Sequence, residues 1–162
     1  VFFPQWSPDG SRLTVTSAVD VGALTYVIDA TGQPGAKLDS LPLAPGDPEL
    51  RFRPWSWSPD SRYLVAYSQR GAGLASFDFT TRRWDALTRA GEYPRWMRDS
   101  RRVVYTSAGR LMLHDTRTGR TQMLLELPGY AIERPALGPD DRSIYFLRSR
   151  DEGDIWGGTL RP

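Results

Sequence analysis

The stretch Trp57-Ser58-Pro59-Asp60-Ser61-Arg62-Tyr63-Leu64-Val65-Ala66-Tyr67-Ser68 decides the fold, because variants of it occur four times. One precedes it: Pro4-Gln5-Trp6-Ser7-Pro8-Asp9-Gly10-Ser11-Arg12-Leu13-Thr14-Val15-Thr16-Ser17. Two come after it: Pro94-Arg95-Trp96-Met97-Arg98-Asp99-Ser100-Arg101-Arg102-Val103-Val104-Tyr105-Thr106-Ser107 and Pro135-Ala136-Leu137-Gly138-Pro139-Asp140-Asp141-Arg142-Ser143-Ile144-Tyr145-Phe146-Leu147-Arg148-Ser149. The aspartates at 9, 60, 99 and 140 are spaced by 51, 39 and 41 residues.

A period of about 40 residues is that of a four-stranded propeller blade. The long first interval places an insertion within residues 35–49, where Pro42, Pro45, Gly46 and Pro48 predict a surface loop. Inside each repeat, Trp-Ser ends a short first strand, and Pro-Asp-Gly/Ser makes a tight turn in which Pro presets φ. The apolar runs Leu13–Val15, Tyr63–Tyr67, Val103–Tyr105 and Ile144–Leu147 are second strands. Being apolar on both faces, they are predicted to lie between neighbouring sheets. Third strands come next at Leu24–Ile28, Leu74–Phe77 and Leu111–His114, each closed by an Asp-led turn. Outer strands are expected at Arg83–Thr88 and Thr121–Leu125.

No segment keeps a capped 3.6-residue periodicity, so almost no helix is expected. The fourth repeat ends with a third strand at Asp154–Leu160, giving three and a half to four blades in an open, partial ring. As a single domain over residues 1–162, the blades divide at 1–53, 54–93, 94–134 and 135–162. Both terminal sheets should leave apolar faces uncovered, so the isolated piece should be marginally stable.

Composition fits this reading. Six Trp and seven Tyr suit strands and sheet packing, and the 15 Gly and 13 Pro are spread as turns require. No apolar run is long enough to cross a membrane as a helix. Val1-Phe2-Phe3-Pro4 has no basic region or cleavage site, and the expectation is a chain that starts inside a larger protein. The absence of cysteine excludes disulfides, thiolate catalysis and zinc–thiolate sites. The net charge is only +2, nearly all the cations are Arg, and no basic run exceeds two residues. Arg interleaved with Trp is chemistry that can stack on bases, but solvated Arg on strand edges is the expectation, with no nucleic-acid partner.

The unit Pro-x-Trp-Ser-Pro-Asp-Gly-x-Arg-apolar resembles the WD-repeat-like units of TolB-like β-propellers. The match is close at Trp6–Leu13 and Trp57–Leu64. It loosens at Trp96–Val103, where Met97-Arg98 replaces Ser-Pro, and at Leu137–Ile144, where Leu137-Gly138 replaces Trp-Ser. The segments Gly91–Trp96, Asp99–Arg102, Ile144–Phe146 and Asp154–Trp156 resemble the C-terminal end of bacterial sensor proteins. In those proteins a TolB-like propeller follows a Ser/Thr kinase or winged-helix domain. The resemblance implies a sensor or protein-binding part and leans toward an extracytoplasmic setting, with the cytoplasm left open. Kinase chemistry does not reside in these residues, which lack a phosphate loop, a His-Arg-Asp loop and an Asp-Phe-Gly.

Candidate chemistry is sparse. His114, the only histidine, adjoins Asp115, a base-and-orienter pair without a nucleophile elbow; a hydrogen bond into its own turn is the expected role. The aspartates Asp9, Asp60, Asp99 and Asp140 share one blade position. They are read as a structural turn motif capping backbone N–H groups, against the alternative of a carboxylate ring for a cation or basic peptide. Trp55 is an extra tryptophan, and strict alternation puts it on the same side as Trp57. Both are candidates for blade packing or for partner binding. No catalytic, cofactor or metal site is assigned. The expected function is a non-catalytic protein- or ligand-binding scaffold or sensor module. Its partners would be a protein or peptide, plus the remaining blades or another chain to close the ring. The alternative is the gating propeller of a larger hydrolase, such as a prolyl-oligopeptidase-like peptidase.

Overall fold

The computed structural model describes residues 4–16, 25–32, 38–42, 52–68 and 73–150. Over these residues the protein is all β. Sheet one holds β1 (Gln5–Trp6), β2 (Arg12–Thr16), β3 (Thr25–Asp29) and β4 (Leu38–Ser40). Sheet two holds β5 (Phe52–Trp57), β6 (Tyr63–Ser68), β7 (Leu74–Asp78) and β8 (Arg83–Thr88). Sheet three holds β9 (Glu92–Trp96), β10 (Arg102–Ser107), β11 (Arg110–Asp115) and β12 (Thr121–Leu125). Sheet four holds β13 (Ala131–Leu137) and β14 (Ile144–Ser149). Each is an antiparallel meander, and the sheets do not join into a closed ring. The strand expected at 154–160 lies outside the described residues, as does Leu24. Strand β4 falls inside the stretch expected to be a surface loop, so the insertion carries the outer strand of its own blade.

Successive sheets stack face to face. The first strands converge, β1 on β5, β5 on β9 and β9 on β13, and so form the inner side of the arc. Strand β6 shows why its sequence is apolar on both faces: Leu64 and Ala66 pack toward sheet one with Val27, Leu41, Phe77 and Trp84, while Val65 and Tyr67 face Trp96, Val103 and Tyr105 of sheet three. Sheets three and four meet through Met97, Val104, Leu111 and Ile132.

Trp57 and Trp96 hold equivalent positions, each turned toward the preceding sheet and only 6% exposed. Trp57 stacks on Phe79 at 4.6 Å and donates from Nε1 to the Gln5 carbonyl at 3.0 Å. The expected same-sided arrangement of Trp55 and Trp57 does not hold. The β5–β6 register shifts between Pro54 and Ser56. One extra residue in a strand turns the succeeding side chains to the other face. Trp57 therefore packs toward sheet one, and Trp55 joins Tyr67, Leu74 and Tyr105 on the opposite side.

The turns also tie blades together. The residue after each turn aspartate is left-handed: Gly10, Ser61, Ser100 and Asp141 have φ of 72°, 59°, 52° and 60°. A non-glycine residue there costs about 1 kcal/mol or more. The side chain offsets this with an inter-blade bond. The Asp9 N–H donates to Ser61 Oγ and the Asp60 N–H to Ser100 Oγ, both at 3.1 Å, and the Arg98 N–H donates to Asp141 Oδ2 at 2.7 Å.

Candidate functional site

The inner strands carry bulges at neighbouring levels. In β5 the extra residue is Trp55; in β9 the register shifts around Tyr93 (φ 54°), and in β13 around Arg134 (φ 49°). The buried prolines Pro54, Pro94 and Pro135 accompany them. Proline lacks an N–H and is tolerated where a strand has an open edge or a bulge. These bulges assemble an aromatic triad. Trp55 lies edge-on to Tyr67 at 5.4 Å and tilted on Tyr93 at 5.3 Å, with Tyr67 and Tyr93 5.8 Å apart. Burial pushes the Tyr67 phenol above its ordinary pKa, partly countered by Arg53, which donates to its hydroxyl at 3.3 Å.

Three guanidinium groups surround the triad. Arg53 and Arg95 lie 5.9 and 5.5 Å from the Trp55 ring, and Arg134 lies 5.7 Å from Tyr93. Beside the triad opens a groove of about 450 Å³, lined among others by Ser68, Glu92, Tyr93, Thr106, Ser107 and Glu133.

The turn aspartates stand elsewhere, each engaged with its own turn. Asp9 accepts from the Ser11 N–H at 3.0 Å and from Ser7 Oγ at 2.6 Å. Asp60 accepts from the Arg62 N–H at 3.0 Å and from Ser58 Oγ. Asp99 accepts from the Arg101 and Arg102 N–H groups, and Asp140 from the Arg142 N–H. The Ser7 hydroxyl, then the Ser11 N–H and hydroxyl, hold the Asp9 pKa down to about 2. Among the described residues no three carboxylate or histidine side chains gather to hold a cation. His114 is buried and its Nδ1 lies 2.9 Å from Thr121 Oγ1 on β12, a partner on the next strand rather than in its own turn. Burial lowers its pKa, with Asp115 acting weakly the other way.

Residue reading picked out Trp55 but not Tyr67, Tyr93, Arg53, Arg95 or Arg134. The available signal was the repeated proline in the first strand, which marks an edge with a bulge.

Four-stranded antiparallel sheets stacked about converging first strands define a β-propeller fold, here a partial one. No protein-family model and no curated protein matches the chain. Solved structures do. A TolB structure from Agrobacterium tumefaciens superposes with a TM-score of 0.74 at 17% identity, over 90% of this chain and 53% of that one. The Swd1 propeller domain from Myceliophteria thermophila gives 0.66 at 14% identity, over 90% and 48%. An auxiliary nutrient-binding protein from Bacteroides thetaiotaomicron gives 0.64 at 13% identity, over 90% and 35%. The chain thus spans about half or less of the length of these structures, and the likeness establishes the fold.

Proposed function

We propose that this chain is a non-catalytic binding module, a propeller segment whose inner side recognises a protein or peptide. The observation that carries this reading is the aromatic triad Trp55–Tyr67–Tyr93 beside an open groove. Clustered aromatic and Arg side chains dominate binding energy at protein interfaces, because they bring large rigid area at low entropic cost. The bulges that build the cluster add nothing to sheet pairing. A TolB-like architecture and a neighbour described as nutrient-binding support a scaffold that binds rather than transforms.

Further blades or another chain form the second class of partner. Trp6 is 59% exposed where its equivalents Trp57 and Trp96 are buried, and Tyr145 and Leu147 are 66% and 57% exposed where Val65 and Tyr67 are covered. These are the two halves of the interface that the sheets already make three times.

Capture from a native lysate by the immobilised full chain tests the binding reading. A saturable protein or peptide partner is expected, with Trp55→Ala weakening it at least about tenfold while the circular dichroism spectrum is kept. No saturable partner, or one held equally by the variant, refutes it.

A further inference from the structure

Sheet one lacks a part that its neighbours share. In sheet two Arg62 donates from Nε and Nη2 to both oxygens of Asp78, and in sheet three Arg101 does the same to Asp115. The strand registers fix the equivalent pair in sheet one. The residue after each arginine lies opposite the aspartate: Tyr63 opposite Asp78 and Arg102 opposite Asp115, as Arg12 lies opposite Asp29. The arginine position of sheet one is therefore Ser11, and its aspartate is Asp29.

Asp29 keeps the turn half of the pattern. Its Oδ1 accepts from the Thr31 N–H at 2.9 Å and from Thr31 Oγ1 at 2.7 Å, as Asp78 Oδ1 accepts from the Thr80 N–H. Its Oδ2, which matches the oxygen that takes Arg62 Nη2, accepts no hydrogen bond among the described residues, and Asp29 forms no ion pair there. The Thr31 hydroxyl and N–H hold its pKa below the ordinary value, so it is charged at neutral pH. Arg12 does not fill the vacancy and forms no ion pair among the described residues. Its guanidinium lies over Phe79 at 4.5 Å and Trp57 at 5.1 Å, and its Nη2 donates to the Ser61 carbonyl at 2.8 Å.

The vacancy is open space. Ser11 and Asp29 both line a pocket of about 440 Å³, with Val27, Leu41 and Phe79 as its apolar wall. Arg82 also lines it, but meets Asp39 at 2.9 Å and leaves Asp29 unanswered. A guanidinium fits a carboxylate through two parallel N–H bonds, and an arginine stem lies well along apolar surface. We propose that this pocket is a socket for a guanidinium from outside the chain, which pairs with Asp29 as Arg62 pairs with Asp78. The socket shares no residue with the aromatic triad or its groove.

NMR titration of the full chain compares a short glycine peptide carrying one arginine with its lysine and glutamine counterparts. The arginine peptide is expected to bind about tenfold or more tightly than the glutamine one. The lysine peptide should fall between them, since an ammonium lacks the fork. Asp29→Asn should remove the preference. Ser11→Arg should remove it too, by supplying the guanidinium from within, and should raise the urea midpoint. Ser11→Ala leaves the pocket open and should keep the preference. Methylguanidinium separates the sources: affinity equal to the peptide's assigns the socket to a free guanidinium compound, and weaker affinity to a peptide arginine whose stem uses the apolar wall. Equal affinity for the arginine and glutamine peptides overturns the socket, as does an arginine preference that survives both Asp29→Asn and Ser11→Arg. Either result leaves the binding reading above to its own test, because Trp55 is not involved.

Discussion

At the scale of single residues, the turn motif is used twice. Its aspartate closes the turn, and the residue after it reaches the preceding blade. Ser100 shows the balance: its left-handed φ costs about 1 kcal/mol or more, and its hydroxyl accepts the Asp60 N–H at 3.1 Å. Ser100→Ala keeps the backbone cost and loses the acceptor, so it should destabilise by about 1 kcal/mol. Ser100→Gly loses the acceptor but also relieves the backbone, so it should be close to neutral. Urea midpoints of the parent and the two variants check this; an alanine variant as stable as the parent would remove the inter-blade role, and one as stable as the glycine variant would remove the backbone cost. The turn aspartates were legible in sequence because Asp leading a short polar turn has one local use, and the repeat extended that reading to Asp99, which follows Arg98 instead of Pro. The latch was not, because Ser61 and Ser100 look like ordinary glycine substitutes until a second blade is placed beside them.

At the scale of the element, the blades carry an internal brace that repeats less regularly than the turn. Arg62 donates from Nε and Nη2 to the two oxygens of Asp78, and Arg101 does the same to Asp115. Each pair joins the start of a second strand to the end of a third. In sheet one Ser11 takes the Arg position, and Asp29 accepts from Thr31 instead. Hydrogen bonds from Arg62, against the opposing effect of burial, hold the Asp78 pKa down to about 2. The folded pKa lies below the unfolded value near 4, so the unfolded chain binds the proton first as pH falls. The stabilisation is therefore complete at neutral pH and disappears between about pH 4 and pH 2. Asp78→Asn should cost about 1–3 kcal/mol at pH 7, and the gap from the parent should close toward pH 2. Denaturation across that range measures it, and a gap independent of pH would assign the cost to packing instead.

At the scale of the whole molecule, the interior sheets are covered on both faces and the end sheets on one. Strand β6 runs from partly to fully buried, whereas β14 alternates partly buried and exposed. The same tryptophan position should therefore give opposite results by blade. Trp57→Ala removes a ring seated between two sheets and should cost about 3–5 kcal/mol. Trp6→Ala, at 59% exposure, should cost about 1 kcal/mol or less. Thermal or denaturant melts of the two variants decide it. Equal costs would mean that the end face of sheet one is already covered in solution, by a second copy or by another segment.

The sequence by itself determined the all-β class, the blade period, the turn chemistry and the two-faced second strands. Those features come from local rules: Pro and Asp fix a turn within four residues, and a run apolar on both faces admits few fates other than burial between sheets. Only the tertiary structure decided where Trp55 points, which arginines lack a carboxylate, and that β4 lies within the proline-rich insertion. The reason is that a β-bulge changes side-chain facing with a single residue, and its position depends on register with a partner strand. Likewise, whether an arginine is paired depends on which strands lie side by side, mostly within its own blade and for Arg82–Asp39 across two, and neither quantity is a property of any one stretch of chain.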